Sequence, residues 1–272
     1  MQTIGPLDLA TLYHQTEHHF FAVTCPLHWR FSAGVNGYFA DRSLNEWNLL
    51  FIRVGSGPLG DGVDTVLELI SRTVLPVRVM ISQEKIERLQ TPLENLGFAV
   101  IETTTAMVLD LAIFTPSSVS DIPVQISLTH HLDDWAGPVA SAFAMSVGWI
   151  AHYQSRHQLA MDRGEDLYHF TLAIQGTVVC ALTLSVVDQV ARLNDVGTES
   201  AFRGQGHATQ LMQAALAYAV GLGARWCFLE ASTLGVSLYR KMGFKDLFEY
   251  QAFWRGPLLA FTPPHSAETA VG

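Results

Sequence analysis

Ala191-Arg192-Leu193-Asn194-Asp195-Val196-Gly197-Thr198-Glu199-Ser200-Ala201-Phe202-Arg203-Gly204-Gln205-Gly206-His207-Ala208-Thr209 is the stretch on which the reading of this chain turns. Ala191 to Thr198 reads as a strand. Beyond it Ala208, Leu211, Met212, Ala215, Leu216, Ala219 and Val220 recur at spacings of three and four, which is one apolar helix face stopped at Gly221 and Gly223. Glycines between a strand and a helix let backbone N–H groups approach an anion closely. The helix dipole adds about 0.3–1 kcal/mol per charge, and Arg203 adds a cation. These features make a diphosphate cradle. It is not a P-loop, because no Lys-Ser/Thr follows the glycines, and it lacks the third small residue of a dinucleotide fingerprint.

The surroundings are mixed α/β. Val124 to Leu128 alternates like a strand, and Asp133 or Asp134 can cap a helix starting near Trp135. Tyr168 to Ile174 and Thr177 to Val187 are β-rich and flank Gln175-Gly176, a hairpin signature. Trp226 to Leu229 is a short strand, Val236 to Met242 a short helix closed by Gly243, and Phe244 to Trp254 a further strand. The first half repeats this order more faintly. Leu49 to Val54 is a strand, followed by a turn containing Gly55, Gly57, Gly60 and Gly62, and by a helix with Val63, Val66, Leu67 and Ile70 on one face. Val77 to Ile81 is a strand, Ile86 to Leu96 a helix, and Gly97-Phe98 opens another strand. Gly60 and Gly97 stand as far apart as Gly206 and Gly243. The order of elements predicts a duplicated unit. Thr115 to Pro123 is polar and Pro-bounded. The expected divisions are residues 1–115, a linker at 116–123, a second domain at 124–256 and a tail at 257–272.

The 272 residues carry a net charge of −9, with 49% hydrophobic and only 15% charged residues. Disorder is excluded, and the acidic balance argues against nucleic acid. It favours a cationic or neutral substrate. So low a charged fraction suggests surface hidden between domains or subunits, so a homodimer is an expectation. No apolar run is long enough to span a membrane and no signal peptide is visible. Cys25, Cys180 and Cys227 are odd in number and far apart, which points to free thiols and a cytoplasmic location.

The strand followed by Arg203-x-x-Gly206-x-Ala208 and a helix resembles the GNAT acetyltransferase superfamily, whose Arg/Gln-x-x-Gly-x-Gly/Ala signature binds the acetyl-CoA pyrophosphate. Ser237-Leu238-Tyr239-Arg240-Lys241-Met242-Gly243-Phe244 is similar to the family's LY-x-x-x-GF segment. The resemblance covers about Val124 to Trp254. It implies two GNAT-like acyl-CoA N-acyltransferase folds in tandem, with a mixed sheet in each. It implies acetyl-CoA as cosubstrate, no metal, and a primary amine as acceptor, attacked directly in a ternary complex. The alternatives are a peptide or protein N-acetyltransferase and a non-catalytic acyl-CoA-binding module.

By the same resemblance Arg203, Gly204, Gln205, Gly206, His207, Ala208 and Thr209 bind the diphosphate. Val196, Gly197 and Thr198 pair with the pantetheine arm and acetyl carbonyl, and Ser232 stands where the family often has Asn. Tyr239 is the general acid for the departing thiolate. Ser200 replaces the Pro that often precedes the loop. No base is legible: Asp188, Asp195 and Glu230 lie on or beside the relevant strands, and each reads first as a solvated or capping carboxylate. Trp149, His152, Tyr153 and His157 fall where the family borders its acceptor pocket. In the first half Leu93 replaces the tyrosine and Gly57 the arginine, so that half resembles the fold in degenerate form. His14-Gln15-Thr16-Glu17-His18 spells a zinc-peptidase-like pattern, but no third ligand accompanies it, and a polar helix face is expected.

Overall fold

The computed structural model describes residues 6–40, 49–55, 57–116 and 124–256. Most of the expected linker and the tail at 257–272 lie outside the described residues. The elements in chain order are α1 (Pro6–Thr24), β1 (Leu27–Ser32), β2 (Val35–Phe39), β3 (Leu50–Val54), α2 (Gly62–Arg72), β4 (Val77–Ser82), α3 (Ile86–Asn95) and β5 (Ala99–Asp110). They continue with β6 (Gln125–Thr129), α4 (Leu132–Phe143), α5 (Val147–Asp162), β7 (Leu167–Ile174), β8 (Thr177–Val187) and β9 (Val190–Thr198). Then come α6 (His207–Gly221), β10 (Trp226–Ser232), α7 (Val236–Lys241) and β11 (Lys245–Arg255).

Two compact units divide these elements. Among the described residues the first holds everything up to 107 together with 230–236 and 246–256, and the second holds 108–229 and 237–245. The units therefore cut across the halves of the sequence. The cause is β11, which follows the second half in sequence but runs antiparallel to β4, from Tyr250 opposite Ser82 to Arg255 opposite Val77.

In the first unit β1, β2 and β3 form an antiparallel meander. The α2 crossover then sets β4 parallel to β3, from Leu50 opposite Val77 to Val54 opposite Ile81. The apolar face expected for α2 is buried: Val63, Val66 and Ile70 pack with Leu89 and Leu93 of α3 on Ile52, Val79 and Ile81. Each such side chain contributes about 1.5–3 kcal/mol. In the second unit β6 to β9 form an antiparallel meander, and the α6 crossover sets β10 parallel to β9. The series β3-α2-β4-α3-β5 and β9-α6-β10-α7-β11 thus share one order of elements, as the duplication requires.

Local chemistry explains the joints. Gln175 and Gly176 both take positive φ (49° and 80°), which a tight two-residue hairpin turn demands. The cap of α4 differs from expectation. His131 occupies the N-cap, while Asp133 and Asp134 sit in the first turn, where carboxylates favour the dipole without closing the helix. In α1, His14 and His18 are taken up by aromatic partners: His14 lies 3.3 Å from the Tyr250 hydroxyl and His18 2.8 Å from that of Tyr38. Among the described residues no three metal-ligating side chains converge, and no helix is long and apolar enough to cross a membrane.

Candidate active site

The second unit carries the loop singled out in the sequence. After β9 a short turn (Ser200–Phe202) leads to Arg203, and α6 begins at His207 with Gly206 as its N-cap. Gly204 and Gly206 have φ of 74° and 84°, a region that L side chains rarely adopt. A Cβ built at either glycine meets nothing within 4 Å, so the concave side of the loop is open. No side chain caps α6. Its first N–H groups therefore face outward at the positive end of the helix, as an anion site requires.

Arg203 braces this loop as well as charging it. Its Nε donates to the Thr198 carbonyl at 3.1 Å and its Nη2 to the Ser141 carbonyl at 2.9 Å, while the side chain stays exposed. Three of its five donors are left for a ligand. Ser141 also accepts from the Ser200 N–H. Its part was not legible, because nothing in a sequence says which helix end a loop will meet. Gln205 is exposed and donates to the Ala201 carbonyl. His207 turns inward and is buried beside Phe202, so only its main chain can face a ligand. Ala208 and Thr209 are half-buried on the first turn.

The strand before the loop is irregular. Gly197 opposes Ala181, but the next pair is Asn194 with Thr183, so Asp195 and Val196 stand against Leu182 alone. This is a β-bulge, with Asp195 at φ 56°. Gly197 is required by close approach: a Cβ there would lie 2.5 Å from the Pro138 carbonyl oxygen. On the other edge, among the described residues, the ladder with β10 ends at Arg192 opposite Phe228. Main-chain groups from 196 to 198 are thus free of a β10 partner. Ser232 is exposed at the end of β10, where its carbonyl accepts from the Gly235 N–H.

Near the end of β9, Thr198 Oγ1 lies 3.2 Å from Cys180 Sγ on β8. Tyr239 projects from α7 with its ring edge-on to Phe244 at 6.1 Å. Burial pushes the Tyr239 phenol up to about 12, and the nearby Cys180 thiol adds to the effect. The phenol therefore holds its proton at neutral pH. Burial pushes the Cys180 thiol up to about 11, which leaves it inert as a nucleophile. An open cavity of about 570 Å³ lies between α6 and α7, lined by Thr209, Gln213, Leu238, Lys241 and Met242 among others. Lys241, which the sequence did not single out, gives it a cation.

The other residues considered for the site separate. Glu230 belongs to the first unit, where it accepts from Arg53, Tyr13 and Thr104. Asp188 lies in the β8–β9 turn. Trp149, His152, Tyr153 and His157 all lie on α5, with His157 fully buried against His169. In the equivalent turn of the first unit the β1–β2 hairpin approaches both ends. A Cβ at Gly34 would lie 2.7 Å from the Gly57 carbonyl, and one at Gly62 would lie 2.8 Å from the Phe31 carbonyl. Main chain of the β1–β2 hairpin thus packs against Gly57 and Gly62, while a Cβ at Gly60, which stands where Gly206 does, meets nothing within 4 Å.

Residues 134–244 match the family model for the acetyltransferase (GNAT) family. No curated protein matches the chain. Among solved structures, a GCN5-related N-acetyltransferase from Kribbella flavida is 14% identical with a TM-score of 0.63, over 96% of this chain and 99% of that one. A tandem GNAT protein from the clavulanic acid biosynthesis pathway is 15% identical with a TM-score of 0.58, over 93% and 98%. A GCN5-related N-acetyltransferase from Sphaerobacter thermophilus is 17% identical with a TM-score of 0.58, over 82% and 77%. Over residues 134–244 the chain is thus similar to the GNAT acetyltransferase family. The fold of the described residues is similar to that of these structures, a tandem GNAT protein among them, as the resemblance implied.

Proposed function

We propose that the chain is an acetyl-CoA-dependent N-acetyltransferase with one competent site, in its second half, and a primary amine as acceptor. The observation that carries this reading is the uncapped Gly204–Gly206 turn at the start of α6, braced by Arg203, where the first unit has Gly57 in place of the arginine. Acetyl-CoA supplies an activated acyl group. N–H groups at 204–209 and the Arg203 guanidinium hold its diphosphate, and the cavity between α6 and α7, with Lys241, takes the nucleotide end. Main-chain groups at 196–198 hold the pantetheine arm and orient the acetyl carbonyl, with dipoles already in place as charge develops there. Tyr239 gives its proton to the departing sulfur. The first half, with Gly57 and Leu93 in place of arginine and tyrosine, serves as a packing lobe. Cys25, Cys180 and Cys227 are buried thiols, which suits a reducing compartment.

The experiment is free-thiol release from acetyl-CoA across a panel of primary amines, from small alkylamines to peptides. Release with any member supports an enzyme. Tight acetyl-CoA binding without release from any of them would favour the acyl-CoA-binding alternative.

Arg203→Glu is expected to weaken acetyl-CoA binding at least tenfold, about 1.4 kcal/mol. It places like charge beside the diphosphate and removes the two main-chain braces. Calorimetry checks this, with Arg203→Lys, which restores only the charge, expected to fall between. Unchanged affinity in Arg203→Glu would remove the loop from the binding site.

A further inference from the structure

The sheet of the second unit has two chemically different faces. On β7, Tyr168 and Phe170 meet Tyr218 of α6, with ring centres 5.1 and 5.5 Å apart. His169, between them, points the other way. It meets Trp135 of α4 at 5.3 Å, and its Nε2 lies 2.9 Å from Nδ1 of His157 on α5. On β8 the same alternation sends Cys180 toward Thr198 and Tyr239, and Ala181 into the cluster of Trp135 and Val139. The groups read above as donor-binding therefore lie on the α6 side. The α4–α5 side is the opposite face, and Asp195 emerges there from the bulge beside Val196.

The Asp195 side chain is about one-tenth exposed. Tyr153 of α5 donates to Oδ1 at 2.7 Å, and His157 Nε2 stands 3.8 Å from Oδ2. Asp195, His157 and His169 thus stand in a row from a strand bulge into the interior, with the two imidazoles at hydrogen-bond distance and the 3.8 Å step to Asp195 beyond it. The layer around them is polar where packing alone would make it apolar. His169 Nδ1, Asn194 Nδ2 and Trp135 Nε1 are buried with no hydrogen bond among the described residues. Each such group costs about 1–3 kcal/mol. A fold keeps so expensive a cluster where it has chemical work.

We infer that Asp195 takes the proton from the acceptor amine, and that the His157–His169 pair positions it and changes tautomer with its protonation state. The inference rests on the acetyl-transfer reading above. As nitrogen bonds to the acetyl carbon and the carbon–sulfur bond breaks, one N–H proton passes to Asp195, while the Tyr239 proton passes to sulfur. Asp195 then releases its proton to water and Tyr239 regains one, so sulfur gains on balance what nitrogen lost. Burial lowers the affinity of both imidazoles for a second proton, His157 well below its ordinary value and His169 to about 4, so both are neutral at pH 7. A neutral imidazole donates at one nitrogen and accepts at the other. With Asp195 ionised, His157 Nε2–H points at Oδ2 and Nδ1 accepts from His169. With Asp195 protonated, both directions reverse, and the hydrogen bond between the two imidazoles remains matched.

Tyr153, Arg156 and His157 on α5, His169 on β7 and Arg192 on β9 are the titratable or charged groups around this carboxylate. Burial raises Asp195 to about 6, against hydrogen bonds from Tyr153 and Thr183 and the positive charge of Arg156 and Arg192. A base must be ionised, so wild-type kcat/KM should fall on the acid side through about pH 6. The test is Asp195→Asn, near-identical in shape, assayed by thiol release on the amine panel. The expected result is an unchanged affinity for acetyl-CoA, a loss of about 10²–10⁴ in kcat/KM and no acid limb. The loss should shrink for amines of low pKa, whose N–H becomes acidic enough in the adduct to pass to water, a trend that mere misfolding would not produce. Tyr153→Phe should move the acid limb to higher pH, because it removes a bond that favours the ionised form. In nitrogen-15 spectra the His157 tautomer should change between pH 5 and 7 in the wild type and stay fixed in Asp195→Asn.

A wild-type rate and an unaltered acid limb in Asp195→Asn would overturn the inference while leaving acetyl transfer standing. So would a His157 tautomer that ignores pH. A wild-type chain that binds no acetyl-CoA and releases no thiol with any amine would overturn the acetyl-transfer reading, and this inference with it.

Discussion

Tyr239→Phe is expected to bind acetyl-CoA as the wild type does and to lose about 10²–10⁴ in kcat where chemistry limits the rate. The ring keeps its edge-on packing against Phe244, and among the described residues the fold has no hydrogen bond to its hydroxyl to lose. What goes is a proton held firmly at neutral pH by burial. The loss should shrink for acyl donors whose leaving thiol has a low pKa, since such a thiolate needs less protonation. A displaced thioester would slow all donors alike. Full activity in Tyr239→Phe would transfer the acid role to water or another group without disturbing the fold or the family.

Arg53→Met should destabilise the first unit by about 3–5 kcal/mol. Arg53 on β3 is 3% exposed and bridges Glu17 of α1 at 2.5 Å and Glu230 of β10 at 2.6 Å. Its guanidinium lies over the Tyr250 ring at 4.4 Å. Thr104 and Tyr13 also donate to Glu230. Removing the cation strands two carboxylates in a buried setting, where neither water nor a counter-charge replaces it. Urea denaturation measures the loss. Combining the change with Glu17→Gln and Glu230→Gln should recover much of it, because burying neutral amides costs less than burying unpaired charges. A single variant as stable as the wild type would mean that the cluster is solvated in solution.

The β9–loop–α6 unit was legible because three local signals agree there: a strand, left-handed glycines, and a helix with an apolar face at three-and-four spacing. Its buried residues Leu211, Met212, Ala215, Leu216 and Ala219 are those the periodicity named. The pairing of β11 with β4 was not legible. Alternation tells a strand which face is inward but not whose edge it will join, so a division drawn along the sequence could not foresee units that share strands. Helix α5 was missed for another reason. Its buried residues are Trp149, His157 and Ala160, a thin stripe on an otherwise polar helix. The link between His157 and His169 depends on that helix crossing β7, a tertiary fact with no local signature. Asp195 stood in plain view beside the loop, but only the bulge, which turns it toward Tyr153, distinguishes it from a solvated carboxylate.

Hydrogen–deuterium exchange with and without acetyl-CoA tests the central claim most directly, because it reports which main-chain amides the ligand covers. The account predicts protection concentrated at 196–198 and 203–209, with the β3–α2 turn of the first unit unchanged. Protection in that first-unit turn, or none in the Arg203–Thr209 loop at saturating acetyl-CoA, would contradict it.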